Sequence, residues 1–159
     1  CMTDTAPTDD YTRCLHDALP ICLTPHFPPA TRLTTDLQPL PALVCRVPLV
    51  LQAFANILDN AIKSRSDGLD LRVSATQDAG QIVVTITDNG CGIPQEQLSR
   101  VFEPFFTTRP VGKGSGMGLT VAREAILGAG GSIELESVAG QGTTCRVQLP
   151  YGSPACTAA

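Results

Sequence analysis

The sequence has no cysteine pair at C-x-x-C spacing, no excess of basic residues, no long unbroken apolar run and few charged residues of either sign. Each absence closes off a class. The seven cysteines, Cys1, Cys14, Cys22, Cys45, Cys91, Cys145 and Cys156, are odd in number and scattered. That is neither a zinc pattern nor a disulfide framework, and it reads as isolated thiols in a reducing compartment. Eleven basic against 15 acidic residues give a net charge of −4, which argues against a basic face for nucleic acid but leaves room for a phosphate held by backbone N–H groups in a glycine-rich loop. The most apolar window, 40–58, is interrupted by Pro41, Arg46, Pro48, Gln52 and Asn56 and does not read as a membrane-spanning helix. The first 30 residues are acidic, threonine-rich and broken by prolines, unlike a secretory leader.

What is present is globular. The chain has 159 residues, 43% hydrophobic and 16% charged, enough for one domain with its own core. Residues 1–30 read as a disordered or artefactual segment, 31–151 as the domain and 152–159 as a disordered tail. The run LHDALPI, 15–21, resembles one reading frame of a short sequencing adaptor, which would make everything up to about Ile21 an assembly artefact. Cys1 precedes Met2, which reads as a piece of a longer protein.

Hydrophobic periodicity gives the elements. Leu33, Thr35 and Leu37 alternate, predicting a short strand ended by Pro39 and Pro41. From Pro48, placed as a first helical residue, to about Lys63 the apolar positions Val50, Leu51, Phe54, Ile57, Leu58 and Ala61 recur at spacings of three and four, predicting a long amphipathic helix. Leu69, Leu71, Val73 and Ala75, then Ile82, Val84 and Ile86, predict two strands of a hairpin turning at Asp78-Ala79-Gly80. One short helix is expected over 94–101, a loop over 107–118, a helix over 119–127 and a closing hairpin around 139–142. The fold expected is α/β of the α+β kind: a two-layer sandwich with a mixed sheet covered by helices on one face.

Four constellations carry chemistry. Asn56, Asn60 and Lys63, extended by Gln52, lie on one narrow stripe of the long helix. A solvated polar face is the ordinary explanation of such a stripe. Asparagine is a poor interior helix residue, however, and an amide oxygen can ligate a hard cation while Lys63 meets a phosphate. Asp88-Asn89-Gly90-Cys91-Gly92-Ile93 follows a strand and offers a carboxylate that can accept from an amine, but lacks the later ligands of a calcium loop. Three of the five phenylalanines, Phe102, Phe105 and Phe106, fall within five residues, either as a core cluster or as a lid. The run Gly112 to Leu119 leads glycines into a helix N-terminus, where backbone N–H groups can meet an anion, yet it fits neither the Walker A nor the dinucleotide fingerprint.

In order, NILDNAIK (56–63), DNGCGI (88–93), FEPFFTT (102–108), GKGSGMGL (112–119) and GTTCRVQLP (142–150) closely resemble the N box, first glycine box, phenylalanine box, second glycine box and closing strand of the ATP-binding domain of sensor histidine kinases, within the superfamily of gyrase-type and chaperone-type ATPases. The resemblance implies a Bergerat-type fold binding ATP and Mg²⁺. It implies that Asn60 holds the Mg²⁺, with Asn56 beside it and Lys63 near the phosphates. Asp88 would accept the adenine amino group, with Gly90, Gly92 and Ile93 around the base and Gly92 letting it pack close. Phe102, Phe105 and Phe106, with Lys113, Gly114, Ser115, Gly116, Met117, Gly118 and Leu119, would form the lid and phosphate end. Thr143 or Thr144 would lie near the adenine. Ala129-Gly130-Gly131 stands where much of the family has His-Gly-Gly.

No residue of this chain is assigned as the catalytic group. The family's phosphoacceptor motif is absent: Pro20 follows His16 by four positions rather than five, and His26 has neither neighbour. The resemblance therefore implies a protein histidine kinase domain separated from its upstream dimerisation and phosphoacceptor domain. The full-length protein would be a homodimeric bacterial sensor, membrane-bound with this domain in the cytoplasm, whose partner is a response regulator. A serine kinase of the anti-sigma type is the alternative from the same superfamily, but those generally lack a phenylalanine box. A non-catalytic nucleotide-binding module is opposed by the intact polar and glycine set.

Overall fold

The structure, a computed structural model, describes residues 12–14, 30–44, 47–107 and 114–151. The strands are β1 (Thr12–Cys14), β2 (Arg32–Leu37), β3 (Ala42–Val44), β4 (Asp70–Asp78), β5 (Gln81–Asp88), β6 (Ser132–Val138) and β7 (Gly142–Pro150). The helices are α1 (Val47–Ile62), α2 (Gln95–Leu98) and α3 (Gly118–Gly128). Five strands form one sheet in the order β2-β4-β5-β7-β6, with β2 parallel to β4 and the other pairs antiparallel. The helices α1 and α3 pack together on one face of it. This is the mixed two-layer sandwich expected.

The periodicities locate the core. The period-two series Leu71-Val73-Ala75, Ile82-Val84-Ile86 and Cys145-Val147-Leu149 put one side of β4, β5 and β7 against the helices, and all nine residues are buried. From α1, Val50, Ala53, Phe54, Ile57, Leu58 and Ala61 close the layer, joined by Ala122 and Ile126 of α3. Both hairpins form where turn chemistry placed them. Ala79 and Gly80 take φ of 46° and 83°, the paired left-handed conformations a two-residue hairpin needs. The Ala129-Gly130-Gly131 run caps α3. Gly130 is left-handed at 73° and the Gly131 N–H donates to the Ile126 carbonyl at 2.9 Å, a Schellman closure that needs no histidine.

Two local expectations shift, and the strand expected over 31–37 holds, at the sheet edge. The helix expected over 94–101 is helical only at Gln95–Leu98 and continues as turns, because Gln97 and Arg100 donate three residues back, to Pro94 and Gln97. The alternation in β2 marks a true strand but not a buried one: it lies at the sheet edge and Leu33 stays 36% exposed. Within the segment read as irregular, β1 pairs antiparallel with β3, Thr12 opposite Val44. A three-residue strand whose partner is 30 positions away leaves no periodicity to read. The rest of residues 1–29 and the tail from 152 lie outside the described residues.

Phe54 is fully buried at the helix–sheet junction. Phe54→Ala should lower unfolding free energy by about 3–5 kcal/mol, read as a fall in the urea midpoint at unchanged slope.

Candidate functional site

The period-two series of β5 does not stop at Ile86. The next residue on the same inward face is Asp88, which is 7% exposed and is the one buried charged side chain among the described residues. It lines a cavity of about 560 Å³, bounded by the C-terminal half of α1, the segment 91–94, the middle of β6 and the start of β7. The size suits a drug-sized or nucleotide-sized ligand. Ile57, Ala61, Ile86, Leu135 and Cys145 supply apolar wall, and burial pushes the Cys145 thiol up to about 12, so it stays neutral.

Three donors hold the Asp88 carboxylate. The Gly90 N–H donates to Oδ1 at 2.8 Å, the Ser64 hydroxyl lies 3.2 Å from the same oxygen, and the Thr143 N–H reaches across from β7, where the two residues are ladder partners. Burial raises the carboxyl above its ordinary value of 3.8; the Gly90, Ser64 and Thr143 hydrogen bonds pull it back without cancelling the rise.

Of the residues expected from sequence, Asn60, Lys63, Asp88, Gly92, Ile93, Phe106, Leu119 and Thr143 line this cavity. The alternation of β7 separates the two candidate threonines. Thr143 faces the cavity, whereas the Thr144 hydroxyl meets Thr87 at 3.2 Å on the opposite face of the sheet. Asn56 stands outside the cavity, its amide oxygen accepting from Gln52 at 3.3 Å. A Cβ added to Gly118 would nonetheless sit within 4 Å of Asn60 and Asn56, so the α3 N-terminus abuts the asparagine stripe. Lys63 pairs with Asp59 one turn back at 2.6 Å, both ends half exposed.

Two of the glycines are also required by the packing of the protein itself. Gly90 is buried and packs on Ser64, with no room for a Cβ; Gly92 is left-handed at 65° and abuts the Val138 carbonyl. Both glycines fit loop against neighbouring chain. Gly116, also left-handed at 65°, abuts the backbone of Phe105, which ties the second glycine run to the phenylalanine run.

The phenylalanines are not a core cluster. Phe105 is 75% exposed at a φ of 65°, Phe106 lines the cavity beneath Arg100, and Phe102 lies under Arg123 of α3. Gly114, Ser115 and Met117 lie beyond the cavity wall, with the Met117 N–H on Ser115 Oγ at 3.3 Å. Lys113 and Thr108 lie outside the described residues.

Sequence reasoning missed Ser64 and Ser137. The Ser137 hydroxyl accepts from Ile93 N–H at 2.8 Å and bonds Thr143 Oγ1 at 2.9 Å, fixing the loop after β5 to β7. Its signal was present: Ile133, Leu135 and Ser137 share one face of β6, so the serine is the polar member of an inward series. Ser64 follows the helix end among ordinary turn residues and had no such signal.

Residues 46–153 match the family described as histidine kinase-, DNA gyrase B- and HSP90-like ATPases. The chain belongs to this ATPase family. Its relatives place it with the sensor histidine kinases. Sensor kinase CckA of Brucella abortus (strain 2308) is 41% identical over 85 residues, covering 54% of this chain and 9% of CckA. Sporulation kinase D of Bacillus subtilis (strain 168) is 36% identical over 116 residues, 73% of this chain and 22% of that kinase. Among solved structures, the mycobacterial sensor histidine kinase MprB superposes with a TM-score of 0.79 at 26% identity, covering 88% of this chain and 96% of that one. Full-length ShkA in complex with AMPPNP gives 0.76 at 22% identity, over 93% of this chain and 32% of ShkA, and shows the fold. The chain spans well under a third of its curated relatives' lengths. It is a histidine-kinase-type ATP-binding catalytic domain.

The Asp88 environment sets a pH dependence. The folded protein holds this proton more tightly than the unfolded chain, so the associated stability is full below pH 3.8 and is lost as pH rises through the raised value. Asp88→Asn keeps an acceptor oxygen but cannot ionise. Its stability relative to the parent should therefore climb as pH rises above the ordinary carboxyl value of 3.8, measured as the difference in urea midpoint; a flat difference would mean that ionisation is not disfavoured in the fold.

Proposed function

We propose that the cavity binds ATP with Mg²⁺, and that in the whole protein this domain delivers the γ-phosphoryl group to a histidine on a separate dimerisation domain. The observation that carries the reading is the buried Asp88 carboxylate in the wall of a cavity that Asn60 and Lys63 also line, with Asn60 beside the N-terminus of α3.

The two ends of the site divide the work. Asp88 accepts a hydrogen bond from the exocyclic amine of adenine, and Ile93, Leu135 and the neutral Cys145 give the ring a dry wall. At the other end, the first N–H groups of α3 have no side-chain cap from Met117 and are available to phosphate oxygens, with the helix dipole favouring negative charge there. Lys63 adds a point charge once it exchanges Asp59 for a phosphate.

Asn60 is the residue that fits the cation. Its amide oxygen is a hard donor that would hold Mg²⁺ together with the phosphates and the ion's remaining waters. When bound, the ion neutralises charge developing on the transferring phosphoryl group. The protein contributes positioning and charge placement, and the imidazole nitrogen of the acceptor displaces ADP in line.

The resulting phosphohistidine serves a response regulator. The whole protein acts as a homodimer, and this domain works on the cytoplasmic side of a membrane-bound sensor. Among the described residues no helix is long and apolar enough to cross a membrane.

Two variants test the site. Asn60→Ala should weaken ATP markedly in Mg²⁺ and little in EDTA, by calorimetry; equal losses in both buffers would remove the metal role. Asp88→Ala should cost about 1.5–3 kcal/mol in ATP binding and abolish the preference for ATP over GTP. The isolated chain should bind ATP without labelling itself, because His16 and His26 fall outside the helical pattern an aligned acceptor needs. A dimerisation domain supplied in trans should become labelled. Acid-labile label on the chain itself, lost in His16→Ala, would overturn the separation of the two parts.

A further inference from the structure

Ser64 belongs to none of the four motifs. Its backbone joins the end of α1 to the loop after β5: the Ser64 N–H donates to the Ala61 carbonyl at 3.1 Å, and the Ser64 carbonyl accepts from Cys91 at 3.3 Å. The hydroxyl stands between two acceptors, 2.6 Å from the Ala61 carbonyl and 3.2 Å from Asp88 Oδ1. It has one proton for both. With the proton on Ala61, a hydroxyl lone pair faces the carboxylate. With the proton on Asp88, Oδ1 gains a second donor beside the Gly90 N–H. Gly90 walls this arrangement in, since a Cβ there would overlap both Oγ and Cβ of Ser64.

We propose that Ser64 is a positioning residue for base recognition: its hydroxyl donates to Asp88 in the free protein and holds the carboxylate in the orientation that accepts the 6-amino group of adenine. The proposal rests on the adenine reading of the cavity given above. Ser64 acts through Asp88, so its contribution must depend on a ligand amine and must be visible in the carboxyl itself. The other titratable groups lining the cavity are Lys63, Cys91 and Cys145, none of which donates to Asp88.

The test uses Ser64→Ala in the full chain, with two readouts. The Asp88 carboxyl, followed by ¹³C NMR in the free protein, should titrate at higher pH in the variant, because one donor to the charged form is gone. By calorimetry, the Kd for ATP should rise about three- to tenfold. The Kd for purine riboside triphosphate, which lacks the 6-amino group, should change by less than about twofold. An unchanged Asp88 titration, or equal losses for both nucleotides, overturns the proposal. If the parent protein itself does not distinguish ATP from the purine analogue, the adenine reading fails, and the carboxyl titration alone then decides whether Ser64 governs Asp88.

Discussion

A carboxylate at the end of an apolar series is the constraint around which this domain is arranged. Ile82, Val84, Ile86 and Asp88 occupy the same face of β5, and the strand's period of two carries the fourth of them into the interior as surely as the first three. Burying a charge is costly unless it is hydrogen-bonded. The surrounding chain meets that cost from three directions: the loop that follows, through Gly90; the end of the long helix, through Ser64; and the neighbouring strand, through Thr143.

Meeting it requires the backbone to come close. Side chains at Gly90, Gly92 and Gly142 would collide respectively with Ser64, with the Val138 carbonyl and with the Asp88 carbonyl. These glycines let three separate parts of the chain converge around one carboxylate, and Ser137 adds a bridge from Ile93 to Thr143. The surroundings of Asp88 are therefore tied together by hydrogen bonds from three elements. The opposite rim is built differently, from an exposed Phe105, a left-handed Gly116 against it and a helix start without a side-chain cap.

The long helix connects the two ends. Its apolar stripe anchors it to the sheet, which fixes the azimuth of the polar stripe, brings Asn60 and Lys63 to the cavity and sets Asn60 beside the start of α3. Of the asparagine pair, unfavourable as local helix sequence, the packing of the helix puts Asn60 at the cavity. Asn56, one turn earlier, is carried past the cavity edge and bonds to Gln52 instead.

What the sequence determined by itself was whatever repeats locally. The strands β4, β5 and β7, the helix α1 and both hairpin turns follow from alternation, from three-and-four spacing and from Ala79-Gly80 and Gly140, because side-chain direction along an element is a property of that element's own period. The ordered boxes named the family for the same reason: each is a short local string. Tertiary structure alone decided what depends on pairs far apart. Ser64 and Asp88 are 24 positions apart, Ile93 and Ser137 are 44 apart, and the β1–β3 pairing joins two three-residue strands with no periodic signal. Thr143, not Thr144, faces the cavity, because β7 alternates and is paired Asp88 to Thr143 with β5. Gly90 and Gly92 leave no room for a Cβ beside Ser64 and the Val138 carbonyl respectively, contacts 26 and 46 positions away in the chain. Each of these depends on which surfaces the folded layers bring within a few ångströms, and that distance is not written in any one segment.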